Sequence, residues 1–470
     1  MDTKPLVLVL GGILGSLSLP ACDLDVPNVN NPDLDQLAKH PTVAGINTAA
    51  SGLQHSIRTG KQTTTGLVNQ LGILGRESYT FDPSEDRFVK QLIQGTLNKS
   101  DAFGGVFWAA NYANIQLGDI MLRGLDQVAD FSDGDKAGIR GFVYTMRALD
   151  LLTVIVTHDS TGAVIDTDHP LGSALGAFVS KAAVYTEIAR LLDLAVTELA
   201  SAGKAFTFQL SSGFTGFDTP ATFAKFVHAL RARAAVYQDP KDYATAKTEL
   251  EVSFLNDVPA SMGFSFNTGV FHVYSTAAGD TQNGLVSKTV FAHPGLLRDV
   301  QKQADTTTPD ARYTAKVVPL DTMGSSVTSA TDSTLTTTIK FKIYTTPSSP
   351  IALIRNEELI LLKAEALYYT GDKAGGLAEL NIVRTGSGKL PPLAAVATDA
   401  DFLAALLYER RYSLMFEGGH RWIDLRRFGL PLPLDAPTQV QNVRYPVPQA
   451  ECDARPGEPA CLITSSSPAS

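Results

Sequence analysis

The segment Glu357-Glu358-Leu359-Ile360-Leu361-Leu362-Lys363-Ala364-Glu365-Ala366-Leu367-Tyr368-Tyr369 decides the fold class. Its apolar residues fall on nearly every side of a helical wheel, so it is expected to be the most buried helix of the chain. Working outward, other segments carry one apolar face at helical spacing. Val184, Ile188, Leu191, Leu192, Ala195 and Leu199 make one, and Phe223, Phe226, Val227, Leu230, Ala234 and Tyr237 the next. Ile139, Phe142, Val143, Met146 and Leu149 mark an earlier helix. Phe402, Leu403, Leu406, Leu407 and Leu414 mark a late one, read as running from Phe402 to Phe416. The expectation is an all-α, mainly helical fold.

A weak internal repeat says how these helices stack. Ala234-Ala235-Val236-Tyr237 is followed by Asp242-Tyr243-Ala244-Thr245-Ala246 and Leu250, and Ala364-Glu365-Ala366-Leu367-Tyr368 by Gly371-Asp372, Leu377 and Leu380. Both resemble the tetratricopeptide pattern, in which small residues let the second helix pack close. Two copies fit helix pairs set in an irregular body, not a regular array. Two stretches break the helical pattern: residues 58–107, rich in Gly, Thr and Asp, and residues 256–350, rich in Ser, Thr and Gly. Long loops of this kind are usually functional or disordered. Inside the second, Ile339, Phe341 and Ile343 alternate with Lys340 and Lys342, the period of a half-buried strand and a minor β element. The residues from Pro456 to Ser470 read as a mobile tail.

The N-terminus is the most readable stretch for cellular address. Lys4 precedes an uncharged apolar run from Leu6 to Leu19, the length of a signal-peptide core and short for a membrane span. Leu19-Pro20-Ala21-Cys22 looks like a bacterial lipobox, in which the Cys thiol accepts a diacylglycerol. Residues 1–21 are therefore expected to be a lipoprotein signal peptide and Cys22 the lipidated first residue. The alternative is an ordinary secretory signal with an incidental Cys, and Asp23 leaves the leaflet open. Cys452 and Cys461 are the other two cysteines. Export favours a disulfide between them, the alternative being two unpaired thiols in a frayed terminus. A formal net charge of -9 argues against nucleic acid, whose phosphates need a surplus of Lys and Arg.

The order of motifs resembles the SusD/RagB family of outer-membrane nutrient-capture lipoproteins. Trp108, Tyr112 and Ile115 resemble its early helix, and Arg147-Ala148-Leu149 and Leu230-Arg231-Ala232-Arg233 its next ones. Asp310 and Arg312 resemble its Asp-x-Arg step, and Arg355-Asn356-Glu357-Glu358 through Ala366 its central helix, with Asn381-Ile382-Val383-Arg384 after it. The strongest match is the run Glu409-Arg410-Arg411-Tyr412, Phe416-Glu417-Gly418, Arg421-Trp422 and Asp424-Leu425-Arg426-Arg427-Phe428-Gly429, closed by Tyr445-Pro446-Val447-Pro448-Gln449. The resemblance implies one SusD-like domain over 22–470. Its parts are an N-terminal helical part (22–255), an irregular insert (256–350), a C-terminal helical part (351–450) and a tail (451–470).

That resemblance implies a non-catalytic protein capturing an oligosaccharide or peptide beside a SusC-type TonB-dependent transporter, lipid-anchored at the outer membrane. Binding is expected in the irregular stretches, with Arg76, Glu77, Tyr79 and Phe81 on a rim and Phe271, His272 and Tyr274 in a second group, because aromatic rings suit sugar faces. Glu409, Arg410, Glu417, Arg421, Asp424 and Arg426 are expected to form one structural ion network, since charges near an apolar face must be paired. Catalytic signatures such as His-Glu-x-x-His or Gly-x-Ser-x-Gly are missing from the sequence. Gly386-Ser387-Gly388-Lys389 reads as a helix-to-loop turn, because Leu390 stands where a phosphate loop needs Ser or Thr. The scattered His residues show no ligand spacing, so neither metal nor cofactor is expected. The competing readings are an envelope scaffold that binds a protein partner through tetratricopeptide-like helices, and an envelope glycoside hydrolase.

Overall fold

A computed structural model of the chain describes residues 34–169, 173–321, 324–437 and 439–466. The expected signal peptide and Cys22 lie outside the described residues. Helices dominate. Those of eight residues or more are α1 (Val43–Arg58), α2 (Leu67–Leu74), α3 (Ala109–Leu125), α4 (Asp133–His158), α5 (Lys181–Ser201) and α6 (Pro220–Tyr237). They continue with α7 (Tyr243–Val252), α8 (Asn356–Tyr369), α9 (Lys373–Gly386), α10 (Asp399–Ser413) and α11 (His420–Arg427). Their starts follow local chemistry: Ser132 with Asp135, and Thr398 with Asp401, form capping boxes that satisfy otherwise orphaned N–H groups. Among the described residues no helix is long and apolar enough to cross a membrane.

From α3 to α9 each helix packs on the next, and the periodic residues of α4, α5 and α6 are the buried ones. The tetratricopeptide-like pairs are α6–α7 and α8–α9. Asp242 and Asp372 cap their second helices, accepting bonds from Thr245 N at 3.0 Å and Gly375 N at 2.8 Å. Four residues after each cap comes a small residue, Ala246 or Gly376. A Cβ on Gly376 would meet the Ala364 carbonyl at 2.8 Å, so only glycine permits this approach. Helix α8 is apolar all round because it separates two cores. Leu359, Leu362 and Ala366 join the main core, while Ile360, Leu361, Ala364 and Tyr368 pack with Leu380, Val383, Phe402 and Leu406.

Strands are short, and among the described residues they form five two-stranded antiparallel ladders. Ser78–Thr80 pairs with Val290–Ala292, and Gly269–His272 with Ile351–Arg355. The alternating segment is a strand only over Ile339–Phe341, paired with Val317–Pro319. Far from being structureless, residues 256–350 supply much of a third core through Tyr274, Leu285, Val290, Leu296, Tyr313 and Ile339.

Two boundaries differ from expectation. Helix α10 stops at Ser413 instead of reaching Phe416, whose φ of 56° turns the chain, so Glu417 sits in the turn before α11. The tail is pinned at least as far as Ser466: Cys452 and Cys461 are bonded, and buried Ser465 donates to Asn442 Oδ1 at 2.6 Å.

Candidate functional site

The expected rim residues are not on a rim. Helix α2 ends at Leu74 and is capped by Gly75, Arg76 turns the chain with a φ of 55°, and the next residues enter the Ser78–Thr80 ladder. Arg76, Glu77 and Tyr79 are each 1% exposed: the strand packs against its partner strand and α2, and Tyr79 lies against Phe81, His293 and Asp435. Arg421 Nε donates to the Gly75 carbonyl at 2.9 Å. Burial pushes the Glu77 carboxyl up to about 7, with Arg421 and Arg411 only partly offsetting it. His272 is buried too, and burial, with Lys61 and Arg58 adding to it, lowers its pKa to about 3. Phe271 is half-buried in its strand, and Tyr274 is buried beneath the Arg58 guanidinium, 5.5 Å from its ring centroid.

Phe81 alone of the first group reaches a cleft. Tyr79 stacks on Phe81 at 5.1 Å and meets His293 in a tilted contact at 4.6 Å, and Phe81 meets Phe291 at 5.8 Å. Phe81 is thus the outer ring of a buried aromatic stack along the Ser78–Thr80 ladder. It lines a cleft of about 430 Å³ together with Asp82, Glu85 and the hairpin strand Val327–Thr328 with its following turn. The cleft joins the two irregular stretches. Thr328 and Thr331 line it with accessible side chains, whereas the hydroxyls of the lining residues Thr80 and Ser329 are taken up by Asn69 and by the turn's own N–H groups. Its carboxylates are held ionised: the Ser84 hydroxyl and N–H lower Asp82, and Arg87 lowers Glu85, its Nε donating at 2.6 Å. The Asp82-Pro83-Ser84 turn and the Thr/Ser-rich hairpin are legible as loops, but nothing in the sequence places them together. Tyr274 lines a different and wider cleft, with no lining residue in common.

The expected ion network is instead several buried clusters whose partners come largely from elsewhere in the chain. Asp424 accepts from Arg410 at 2.6 Å and from Arg427 at 2.8 Å, and Arg427 reaches Glu365 on α8 at 2.5 Å. Glu409 lies between Arg312 at 2.6 Å and Arg384 at 2.8 Å. Glu417 lies between Arg355 at 2.9 Å and Lys316 at 3.1 Å. Arg421 and Arg426 mainly donate to backbone carbonyls, Arg426 to Val443 at 2.8 Å and Val156 at 2.5 Å. Burial raises the pKa of Asp424 and Glu417, but their cationic partners outweigh it and keep both below the usual carboxylate range. Groups held so firmly as anions are unsuited to donate protons. Among the described residues no cluster of His, Cys, Asp or Glu could hold a metal ion.

Residues 299–457 match the sequence profile of the SusD family. A SusD superfamily protein from Bacteroides vulgatus aligns over 90% of this chain and 98% of its own, at 16% identity and TM-score 0.65. A SusD-like carbohydrate-binding protein from Bacteroides fragilis aligns over 87% and 98%, at 16% identity and TM-score 0.66. Surface glycan-binding protein A from Bacteroides uniformis aligns over 90% and 99%, at 16% identity and TM-score 0.66. No curated protein matches the chain. At these identities the structural likenesses establish the fold.

Proposed function

We propose that this chain, SusD-like in fold and carrying the SusD family signature over 299–457, is a non-catalytic protein that captures oligosaccharide in the Phe81 cleft. The observation that carries the reading is the cleft's lining: part of one aromatic ring, the threonines Thr328 and Thr331 and two ionised carboxylates, held by loops from both irregular stretches. Such a surface offers the accessible part of an apolar ring to a sugar and acceptors to its hydroxyls. Relatives described as carbohydrate-binding or glycan-binding support the same ligand class. Lipidation at Cys22 tethers the domain to the outer membrane, where it delivers the glycan to a SusC-type TonB-dependent transporter.

The binding test pairs a conservative change at the buried Phe81 with a change at an exposed position. Phe81→Leu keeps apolar volume but removes the ring, and Thr328→Trp fills the cleft from an exposed position. Each is expected to lower affinity for a retained glycan at least ten-fold while keeping a cooperative thermal transition, with some loss of melting temperature in Phe81→Leu, whose ring packs on Tyr79 and Phe291. Unaltered affinity in both folded variants would remove the cleft from the site. Cys22→Ser is expected to release the protein from membranes in cell fractionation, and retention there would contradict the lipid anchor.

A further inference from the structure

The wider cleft that Tyr274 lines lies between the last two turns of α1, the 209–212 segment and the 273–280 turn, enclosing about 1050 Å³ with its open mouth. Two polar side chains one helical turn apart build it. Gln54 Nε2 donates to the Gln209 carbonyl at 3.1 Å while its Oε1 accepts from Ser211 N at 2.8 Å. That amide fixes one wall as a neighbouring strand would. Arg58 fixes the other wall, bonding the Val273 carbonyl and the Asp280 carboxylate. Behind the first wall Gly213 packs so closely that a Cβ there would lie 1.9 Å from the Phe271 carbonyl. Three distant stretches of chain are therefore cross-linked around one opening, a preorganised site and not a fold in a mobile loop.

What faces the opening defines the ligand. Asp280 is lowered to about 2, first by the Ser275 hydroxyl at 2.6 Å, then by Thr281 N–H and Arg58, and it remains partly exposed. It is a fixed acceptor whose charge the adjoining Arg58 balances, and the exposed His55 ring, 3.4 Å from Asp280 and 2.6 Å from Arg58, completes the polar group at the opening. Around it stand the hydroxyls of Ser51, Ser211 and Ser212 and the exposed amide of Gln209. Balanced charge disfavours a strongly anionic or cationic ligand, and the density of hydroxyl and amide groups suits a polyhydroxylated one. The guanidinium lies over the buried Tyr274 ring, so recognition proceeds through hydrogen bonds and is weaker than where part of the Phe81 ring adds an apolar contact.

We propose that the Gln54–Arg58 cleft is a second binding site for neutral oligosaccharide, separate from the Phe81 cleft, by which one chain holds a polysaccharide at two points. The inference rests on the glycan-binding reading above. Two attachment points on one polymer raise avidity without new contacts.

The test takes the neutral oligosaccharide that the full chain retains best from a panel of α-glucans, β-glucans, xylans and mannans, and measures its binding isotherm. The wild type is expected to require two classes of site. Ser212→Trp, which blocks the mouth, and Gln209→Ala, which keeps the backbone clamp, are each expected to weaken only the weaker class, by ten-fold or more. Phe81→Leu is expected to weaken only the stronger. A single class lost in Phe81→Leu and untouched by Ser212→Trp and Gln209→Ala overturns the second site while leaving the glycan-binding reading intact. If the wild type retains no member of the panel, the glycan-binding reading itself fails and the second site with it.

Discussion

Arg410→Ala is expected to destabilise the protein by about 3–5 kcal/mol, the range for removing one partner of a buried ion pair. Arg410 is 1% exposed, bonds Asp424 at 2.6 Å and reaches the Tyr237 hydroxyl at 3.3 Å, so it ties α10 to α11 and α6. After truncation Asp424 keeps Arg427 but sits beside an unfilled space, and the Tyr237 hydroxyl loses a donor. The carboxylate's depressed pKa fixes the pH dependence. Stability from this pair is present above the unfolded carboxylate pKa, about 4, and is lost as pH falls through the lower folded value. Urea unfolding at pH 7 and at pH 3 checks both parts: the gap between wild type and variant should narrow in acid. A loss below about 1 kcal/mol at pH 7 would mean that the cluster is solvated.

Glu77→Gln should act in the opposite direction. Neither Glu77 oxygen has a hydrogen-bond partner of normal geometry, and burial pushes the carboxyl from 4.5 to about 7. With a folded pKa above the unfolded one, the native state takes up a proton, so stability falls as pH rises from about 4.5 to about 7 and stays lower beyond. At about 1.4 kcal/mol per pH unit the loss is about 3 kcal/mol, which a permanently neutral amide avoids. The variant should therefore unfold at higher urea than the wild type at pH 8 and at the same urea at pH 4. Equal stability at pH 8 would show that Arg421 and Arg411 already neutralise the carboxylate.

These two residues show where the sequence was legible and where it was not. Helix α8 could be read from Glu357 to Tyr369 because an unbroken apolar segment encodes its own burial. The periodic faces of α4, α5 and α6 could be read for the same reason. Ser78–Thr80 could not: three residues are too few to carry a period, and their partner strand lies at Val290–Ala292, some two hundred residues on. Arg76, Glu77 and Tyr79 therefore looked like loop, and their burial depends on contacts that local pattern does not record. Arg410 was legible as a buried charge in need of a partner, but Arg427, Glu365, Arg312 and Arg355 were not legible as partners of these clusters, since a single chain names the ions and not the pairs. The Phe81 cleft shares both difficulties, being assembled from residues 80–89 and 327–331.

The reading of the molecule as a glycan receptor without catalysis is tested most directly by one incubation. The purified chain is mixed with a polysaccharide panel, and retained glycan and newly formed reducing ends are measured on the same samples. Retention of at least one polysaccharide with no rise in reducing ends is the predicted result. A steady increase in reducing ends, or a chain that holds none of them, would contradict it.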